Sequence, residues 1–209
     1  MNNKLKKQAI EARKALQNHG VVSFPTETVM GLAVCYDDEV AYHRLNEIKR
    51  RPEDKPYTLM CAKVEDLASF GVINDKIQRI IDKFMPGSIT ILIKAKKGLP
   101  IWVTHGGDTI GLRIPTNEEA LAVLNEIKKP LLVPSANRSG EKPTLNSEEV
   151  KKIFQGEISV VVDGEAKLEK ASTIVNLTGE QPVVVRPGPI NIDEILKVWN
   201  NLKVLTYGN

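Results

Sequence analysis

Cysteine is scarce in this 209-residue chain, where only Cys35 and Cys61 occur. Their separation matches no zinc signature and no paired-cysteine framework, so the spacing favours neither metal nor disulfide, and a reducing compartment is expected. Aromatic residues make up 5% of the chain, so a core has to be assembled mainly from Ile, Leu, Val and Ala. No apolar run reaches the ~18 residues needed to cross a bilayer. The first segment, MNNKLKKQAIEARKALQNHG, carries lysines but no apolar h-region or small-residue cleavage site, which excludes a secretory signal and points to the cytoplasm. Strong charge of one sign is lacking too: the net charge of +3 permits anionic ligands without implying nucleic-acid binding. The chain has no GxSxG elbow, no Walker A loop and no GxGxxG. His19, His43 and His105 have no triad spacing and read as surface or capping residues. Catalysis, if present, has to rest on positioning and charge stabilisation rather than on a protein nucleophile.

What is present fits an ordinary globular domain, 42% hydrophobic and 26% charged, long enough to bury roughly 70% of its unfolded surface. There is no internal repeat, low-complexity tract or hinge, so one domain is expected over residues 1–209. Helical patterns fall at 4–18, from Asp37 or Asp38 to about Lys49, and at 64–70, 75–84, 117–127, 147–155 and 191–199. Strand patterns fall at 21–26, 57–62, 88–95, 109–114, 130–134, 158–163, 172–177 and 182–186. The alternation predicts an α/β fold, a twisted mixed sheet flanked by helices. Residues 99–109, with their HGG, are the least regular.

Four apolar runs end alike. LLVPSANRSGEKPT (131–144) passes from a buried strand into Ser135, Asn137, Ser139 and Gly140. VVSFPTET (21–28), TIGLRIPT (109–116) and PVVVRPG (182–188) each close on Thr, Arg or both beside proline. One such end is ordinarily just a turn; four suggest a polar site at the rim of a sheet, where open α/β folds bind ligands. The cluster IKRRPEDKP (48–56) ends a helix, a placement that favours cations through the helix dipole alone. With Arg113 and Arg186 at strand ends, Lys49, Arg51 and Lys55 also suggest a crevice for phosphate or carboxylate. Glu27, between two threonines, is a weak metal signal without a second acid, and any metal is expected to be magnesium carried by substrate phosphates.

Taken in order, FPTETVMGLAV (24–34), KRRPEDKP (49–56), PGSITILI (86–93), GLRIP (111–115), PSANRSG (134–140), STIVNLT (172–178) and VVVRPGPI (183–190) resemble the YrdC/TsaC family of threonylcarbamoyl-AMP synthases over about residues 5–200. The resemblance implies a YrdC-like fold and a nucleotidyltransferase that converts L-threonine, bicarbonate and ATP, with Mg2+, to threonylcarbamoyl-AMP and pyrophosphate. The product serves the modification of adenosine 37 in tRNA, which implies downstream tRNA threonylcarbamoyl transferase proteins as partners, weak tRNA binding and no membrane. The family's KxR and SxN elements fall on Lys49 with Arg51 and on Ser135 with Asn137, the implied catalytic set. Arg51, Lys55, Thr109, Val133, Asn137 and Arg186 fall to ATP; Thr28, Arg113, Ser135 and Ser172 fall to threonine. Met30, Ser88 and Met60 depart from the family's tyrosine, proline and histidine. Two other readings are a non-catalytic RNA-binding protein of the same fold and a hydrogenase-maturation carbamoyl-transfer domain; the second lacks its acylphosphatase and zinc-finger-like segments here.

Overall fold

Asn2 opens helix α1 (Asn3–Gln17) by accepting the Leu5 N–H at 2.8 Å, satisfying one of the donors that a helix start leaves unpaired. Leu5, Ala9, Ala12 and Leu16 recur at helical spacing and are all buried, the two alanines allowing close approach to helix α5 (Glu118–Ile127). The helix stops where His19 takes a left-handed φ of 58° and the Gly20 N–H donates to the Ala15 carbonyl, against which a Cβ would fall at 2.6 Å. The computed structural model describes residues 2–50 and 56–201.

The described residues form one sheet from β1 (Val22–Pro25), β2 (Met30–Cys35), β3 (Thr58–Met60), β4 (Ile89–Lys94), β5 (Thr109–Arg113), β6 (Leu131–Leu132), β7 (Val160–Val161), β8 (Thr173–Asn176) and β9 (Val183–Arg186). Their spatial order is β7, β1, β2, β6, β3, β5, β4, β8, β9. The β1–β7, β3–β5 and β4–β8 pairs are parallel and the others antiparallel, so the mixed α/β sheet expected from the alternation is the one observed. The remaining helices are α2 (Glu39–Lys49), α3 (Asp75–Phe84), α4 (Ile101–Thr104), α6 (Ser147–Ile153) and α7 (Ile192–Trp199).

Both faces of the central strands are covered. On one side Val22, Phe24, Ala33, Cys35, Leu131 and Val133 pack with α1 and α5; on the other Leu32, Val34, Leu59, Ile91 and Leu112 pack with Leu45, Ile48, Ile77, Ile80 and Ile81 of α2 and α3. Strand β2, absent from the sequence-based expectations, follows from this: all six of its residues are buried, so MGLAVC has no polar alternation to reveal it. Residues 64–70 form a 3-10 turn, Val64–Ser69, rather than an α-helix, and Lys63 at its start gives no side-chain cap. α4 lies in the irregular 99–109 stretch, and β6 and β7 are shorter than expected.

Cys35 and Cys61 are free and buried, 5% and 0% exposed. Burial, aided by the charge of Asp37, pushes the Cys35 thiol up to about 11, and burial with Asp66 pushes Cys61 up to about 12. Unfolding would let each ionise near the ordinary value of 9.0. The unfolded chain therefore binds fewer protons above that pH, and the thiols' contribution to stability, present below about pH 9, is lost as pH rises toward their folded values. A disulfide-exchange reagent at pH 8 is expected to leave both thiols unmodified in the native protein and to titrate both in denaturant. Rapid modification of either in the native state would contradict this burial.

Candidate active site

The turn between β1 and β2 is held by its own hydroxyls. Thr26 Oγ1 donates to the Val29 carbonyl at 2.7 Å and accepts the backbone N–H groups of Thr28 and Val29. Thr26 Oγ1 and Thr28 Oγ1 are 2.8 Å apart; since the Thr26 proton is committed to Val29, Thr28 is the donor of that pair. Thr28 Oγ1 in turn accepts from Arg113 Nη2 at 2.9 Å. A hydrogen-bonded line thus runs from Arg113 through Thr28 and Thr26 to the Val29 carbonyl.

Arg113 is at the end of β5, only 6% exposed, so its charge requires a partner. Glu27 supplies one, Oε1 accepting from Arg113 Nη2 at 2.7 Å while Oε2 accepts the Thr116 N–H at 3.1 Å. Three strands, β2, β6 and β3, separate β1 from β5 in the sheet. The contact therefore joins elements far apart in strand order and requires the sheet to curl.

On the other side of β5, Thr90 of β4 lies 3.0 Å from Ser172 Oγ, just before β8. Arg186, closing β9, donates to the Ser172 carbonyl through Nε and Nη2 and to Ser172 Oγ through Nη2. The expected antiparallel hairpin of β8 and β9 is what brings them together, with Arg186 opposite Ile174. Gly188 seals this corner: a Cβ there would fall 2.2 Å from the Thr173 nitrogen. Although Arg186 is exposed as a residue, its guanidinium is drawn against the strand, and desolvation, then the like charge of Arg113, lower its pKa. Among the described residues Arg186 has no carboxylate partner. Arg186 feels the charge of Arg113 while Glu27 answers Arg113 alone, an arrangement suited to an added anion.

The PSANRSG turn forms a second cluster. Ser135 bridges to Gly31 of β2, and the Ala136 N–H donates to the Met30 carbonyl. Ser135 Oγ donates to Asn137 Oδ1 at 2.5 Å, and Asn137 Nδ2 donates to the carbonyls of Arg138 and Glu141. Lys49, expected at an open crevice, is instead 1% exposed. Its ammonium donates to the carbonyls of Ser135 and Asn137 at 2.5 and 2.7 Å, and the Ser139 N–H returns to the Lys49 carbonyl. A lysine at a helix end can satisfy its charge on turn carbonyls as readily as on phosphate, and here the turn reaches it.

The expected convergence is corrected at Lys49, which serves the turn; Arg186 feels the charge of Arg113, and Arg51 and Lys55 lie outside the described residues. Thr109 opens β5 and lies at the end opposite Arg113, since β3 aligns Thr58 with Gly111 and Met60 with Arg113. Val133 lies level with the middle of β5, its N–H donated to the carbonyl of Thr58, which pairs with Gly111. Glu27, left without a partner by the sequence reading, has Arg113; the pairing joins residues on different strands and leaves no local spacing. Met30 and Met60 are core residues, 0% and 1% exposed. His105 caps α4 in a left-handed conformation and His43 is on the surface, as expected; His19 Nδ1 meets Asp38.

A Sua5/YciO/YrdC family model, described as telomere recombination, matches residues 14–188. The chain belongs to this family. It is 34% identical over 186 residues to the threonylcarbamoyl-AMP synthase of Pyrococcus abyssi, covering 88% of this chain and 55% of that one. It is 33% identical over 200 residues to the one from Bacillus subtilis, covering 94% and 58%. The chain thus spans little more than half the length of these two relatives. The putative threonylcarbamoyl-AMP synthase of Methanocaldococcus jannaschii is 31% identical, with 94% of both chains covered. Among solved structures, Pyrococcus abyssi Sua5 complexed with L-threonine superposes with a TM-score of 0.88 at 33% identity, over 92% of this chain and 57% of that one. Escherichia coli YciO superposes with a TM-score of 0.85 at 26% identity, over 91% and 94%.

The clamp on the PSANRSG turn is testable in the family context. Lys49→Met preserves length but removes two charge-assisted hydrogen bonds, and is expected to destabilise the fold by about 1.5–3 kcal/mol or more. The loss should lower Tm by roughly 2–4 °C per kcal/mol, followed by calorimetry and urea unfolding. An unchanged midpoint would restore the open-crevice reading of Lys49.

Proposed function

We propose that this chain is a threonylcarbamoyl-AMP synthase, forming threonylcarbamoyl-AMP and pyrophosphate from L-threonine, bicarbonate and ATP. The observation that carries the reading is the pairing of guanidiniums with hydroxyls near strand ends, Arg113 on Thr28 and Arg186 on Ser172, with Glu27 answering Arg113 alone. Its chemistry suits an amino acid and a phosphate: guanidiniums for anionic oxygens, hydroxyls for an ammonium and an alcohol. The family's relatives named for this activity, and the L-threonine bound to the Pyrococcus abyssi protein, support it.

In this reading Thr28, Arg113, Ser135 and Ser172 hold threonine. Arg186 and Asn137, with Arg51, Lys55, Thr109 and Val133, serve the nucleotide. Because Thr28 spends its hydroxyl proton on Thr26, it offers a ligand only an acceptor lone pair, which fits the ammonium or hydroxyl of threonine. The amine of threonine adds to bicarbonate-derived carbon with loss of water, giving a carbamate. A carbamate oxygen then forms a bond to the α-phosphorus, and the bond to pyrophosphate breaks. No protein nucleophile is needed; the residues align the reactants and stabilise the spreading negative charge, Arg186 at the phosphates and Arg113 at a carboxylate. Among the described residues no group of three or more His, Cys, Asp or Glu could hold a metal, so magnesium is proposed to arrive with ATP. The catalytic contribution of Lys49 is proposed to be indirect, through Ser135 and Asn137. The buried free thiols fit a cytoplasmic enzyme, whose product would pass to the tRNA-modifying transferase proteins.

The decisive measurement is product analysis with purified protein. Pyrophosphate release is expected only when ATP, threonine and bicarbonate are all present, with threonylcarbamoyl-AMP identified by mass. Equal release without threonine would exclude the synthase, and RNA binding with no turnover would favour the non-catalytic alternative.

The two sides of the crevice should separate by ligand. Ser172→Ala is expected to weaken threonine binding, and Arg186→Ala to weaken ATP binding roughly 10- to 100-fold, the loss of one charge-assisted contact. Calorimetric titration of each variant with each ligand reads this out. Loss of the same ligand by both variants would show that the Arg186–Ser172 hydrogen bonds make them one unit.

A further inference from the structure

We propose that Glu27 is a positioning residue, which fixes the guanidinium of Arg113 from the β1–β2 turn and so sets the orientation in which Arg113 meets the carboxylate of a substrate. This rests on the proposed function of the crevice and assigns a residue that the reading above leaves without a role. Three contacts make Glu27 rigid. Its Oε2 accepts the Thr116 N–H, its backbone carbonyl accepts the Leu168 N–H at 3.0 Å, and its Oε1 accepts from Arg113.

The hydrogen-bond inventory of Arg113 gives the consequence. Nη2 has two hydrogens; Glu27 takes one and Thr28 the other. Nε is buried without a partner, and Nη1 makes no hydrogen bond to the described residues. The donors left for a ligand are therefore Nε–H and the two hydrogens of Nη1. With a carboxylate and a hydroxyl both holding Nη2, rotation of the planar group is blocked, so the directions of the Nε and Nη1 hydrogens are fixed before any substrate arrives. The carboxylate also offsets the repulsion between Arg113 and Arg186, which otherwise favours splaying the two cations apart.

Threonine and ATP titrations of wild type, Glu27→Gln, Arg113→Lys and the double variant test this, together with side-chain nitrogen NMR of the arginines. Glu27→Gln is expected to weaken threonine binding at least tenfold with ATP binding within about twofold of wild type, a split that general destabilisation does not produce. In the Arg113→Lys background the same change should add less than about twofold, because its effect passes through Arg113. The NMR spectrum should show hindered rotation of the Arg113 nitrogens in wild type and free rotation in Glu27→Gln, whether or not threonine is added. If Glu27→Gln does not fold, Glu27→Asp, which keeps the charge but shortens its reach, should show the same selective loss of threonine affinity. Wild-type threonine affinity in the Glu27 variants, an equal additive loss in the Arg113→Lys background, or unchanged rotation would each overturn the inference. A wild-type protein that binds no threonine, yet shows the hindered rotation and its loss in Glu27→Gln, would overturn the functional reading and the substrate in this one, leaving only the Glu27 anchor.

Discussion

A guanidinium at the end of an interior strand must be answered by a negative charge, and the position of Arg113 imposes that requirement on this fold. Removing one partner of a buried ion pair typically costs about 3–5 kcal/mol, because the survivor is left desolvated and uncompensated. The answering carboxylate, Glu27, comes from the β1–β2 turn, with β6 and β3 intervening between that hairpin and β5. Bringing that turn to Arg113 also brings Thr26 and Thr28, and it places the Thr116 N–H on the second carboxylate oxygen. The ion pair and the curl of the sheet are therefore two descriptions of one constraint.

Electrostatic asymmetry within the crevice decides what it can accept. Glu27 compensates one cation, while Arg186 relies on the carbonyl and hydroxyl of Ser172 and feels Arg113 as a like charge. A guanidinium stays protonated under such repulsion, so the strain is relieved by an added anion rather than by loss of a proton. Lys49, at the end of α2, shows the alternative fate of a cation. Its ammonium is absorbed by the carbonyls of Ser135 and Asn137, and its charge organises backbone. Residue type alone does not separate these outcomes; the identity of the acceptor does.

Much of this was legible in the sequence where the signal is local. Helices α1, α2, α3, α5 and α7 each combine an Asn or Asp cap with buried residues at helical spacing, and the reading placed all five within a residue or two. The Ser172–Arg186 meeting was also legible, because a short hairpin converts sequence separation directly into contact. What was not legible depended on distant strands. The apolar run of β2 has no alternation because both faces are covered. The partner of Glu27 is 86 residues away, and the burial of Lys49 depends on a turn 86 to 88 residues further on.

Adenylate chemistry of the proposed kind needs the reactants brought together more than it needs a reactive side chain, since the amine and the carbamate are themselves nucleophiles. What a protein can add is orientation and a field already in place before the charge develops, and well-oriented reactants alone can contribute about 7–11 kcal/mol toward a barrier. Such a field requires donors that do not reorganise. In this chain the direction of each hydrogen bond is fixed in sequence: Thr26 is committed to Val29, Thr28 therefore to Thr26, and Arg113 to Thr28 and Glu27. Hydroxyls that cannot choose their polarity, as at Thr26 and Thr28, discriminate by donor and acceptor pattern as well as by shape. A proposed reaction that needs no protein nucleophile and a set of internally committed polar groups are then aspects of one arrangement, in which rigidity takes the place of reactivity.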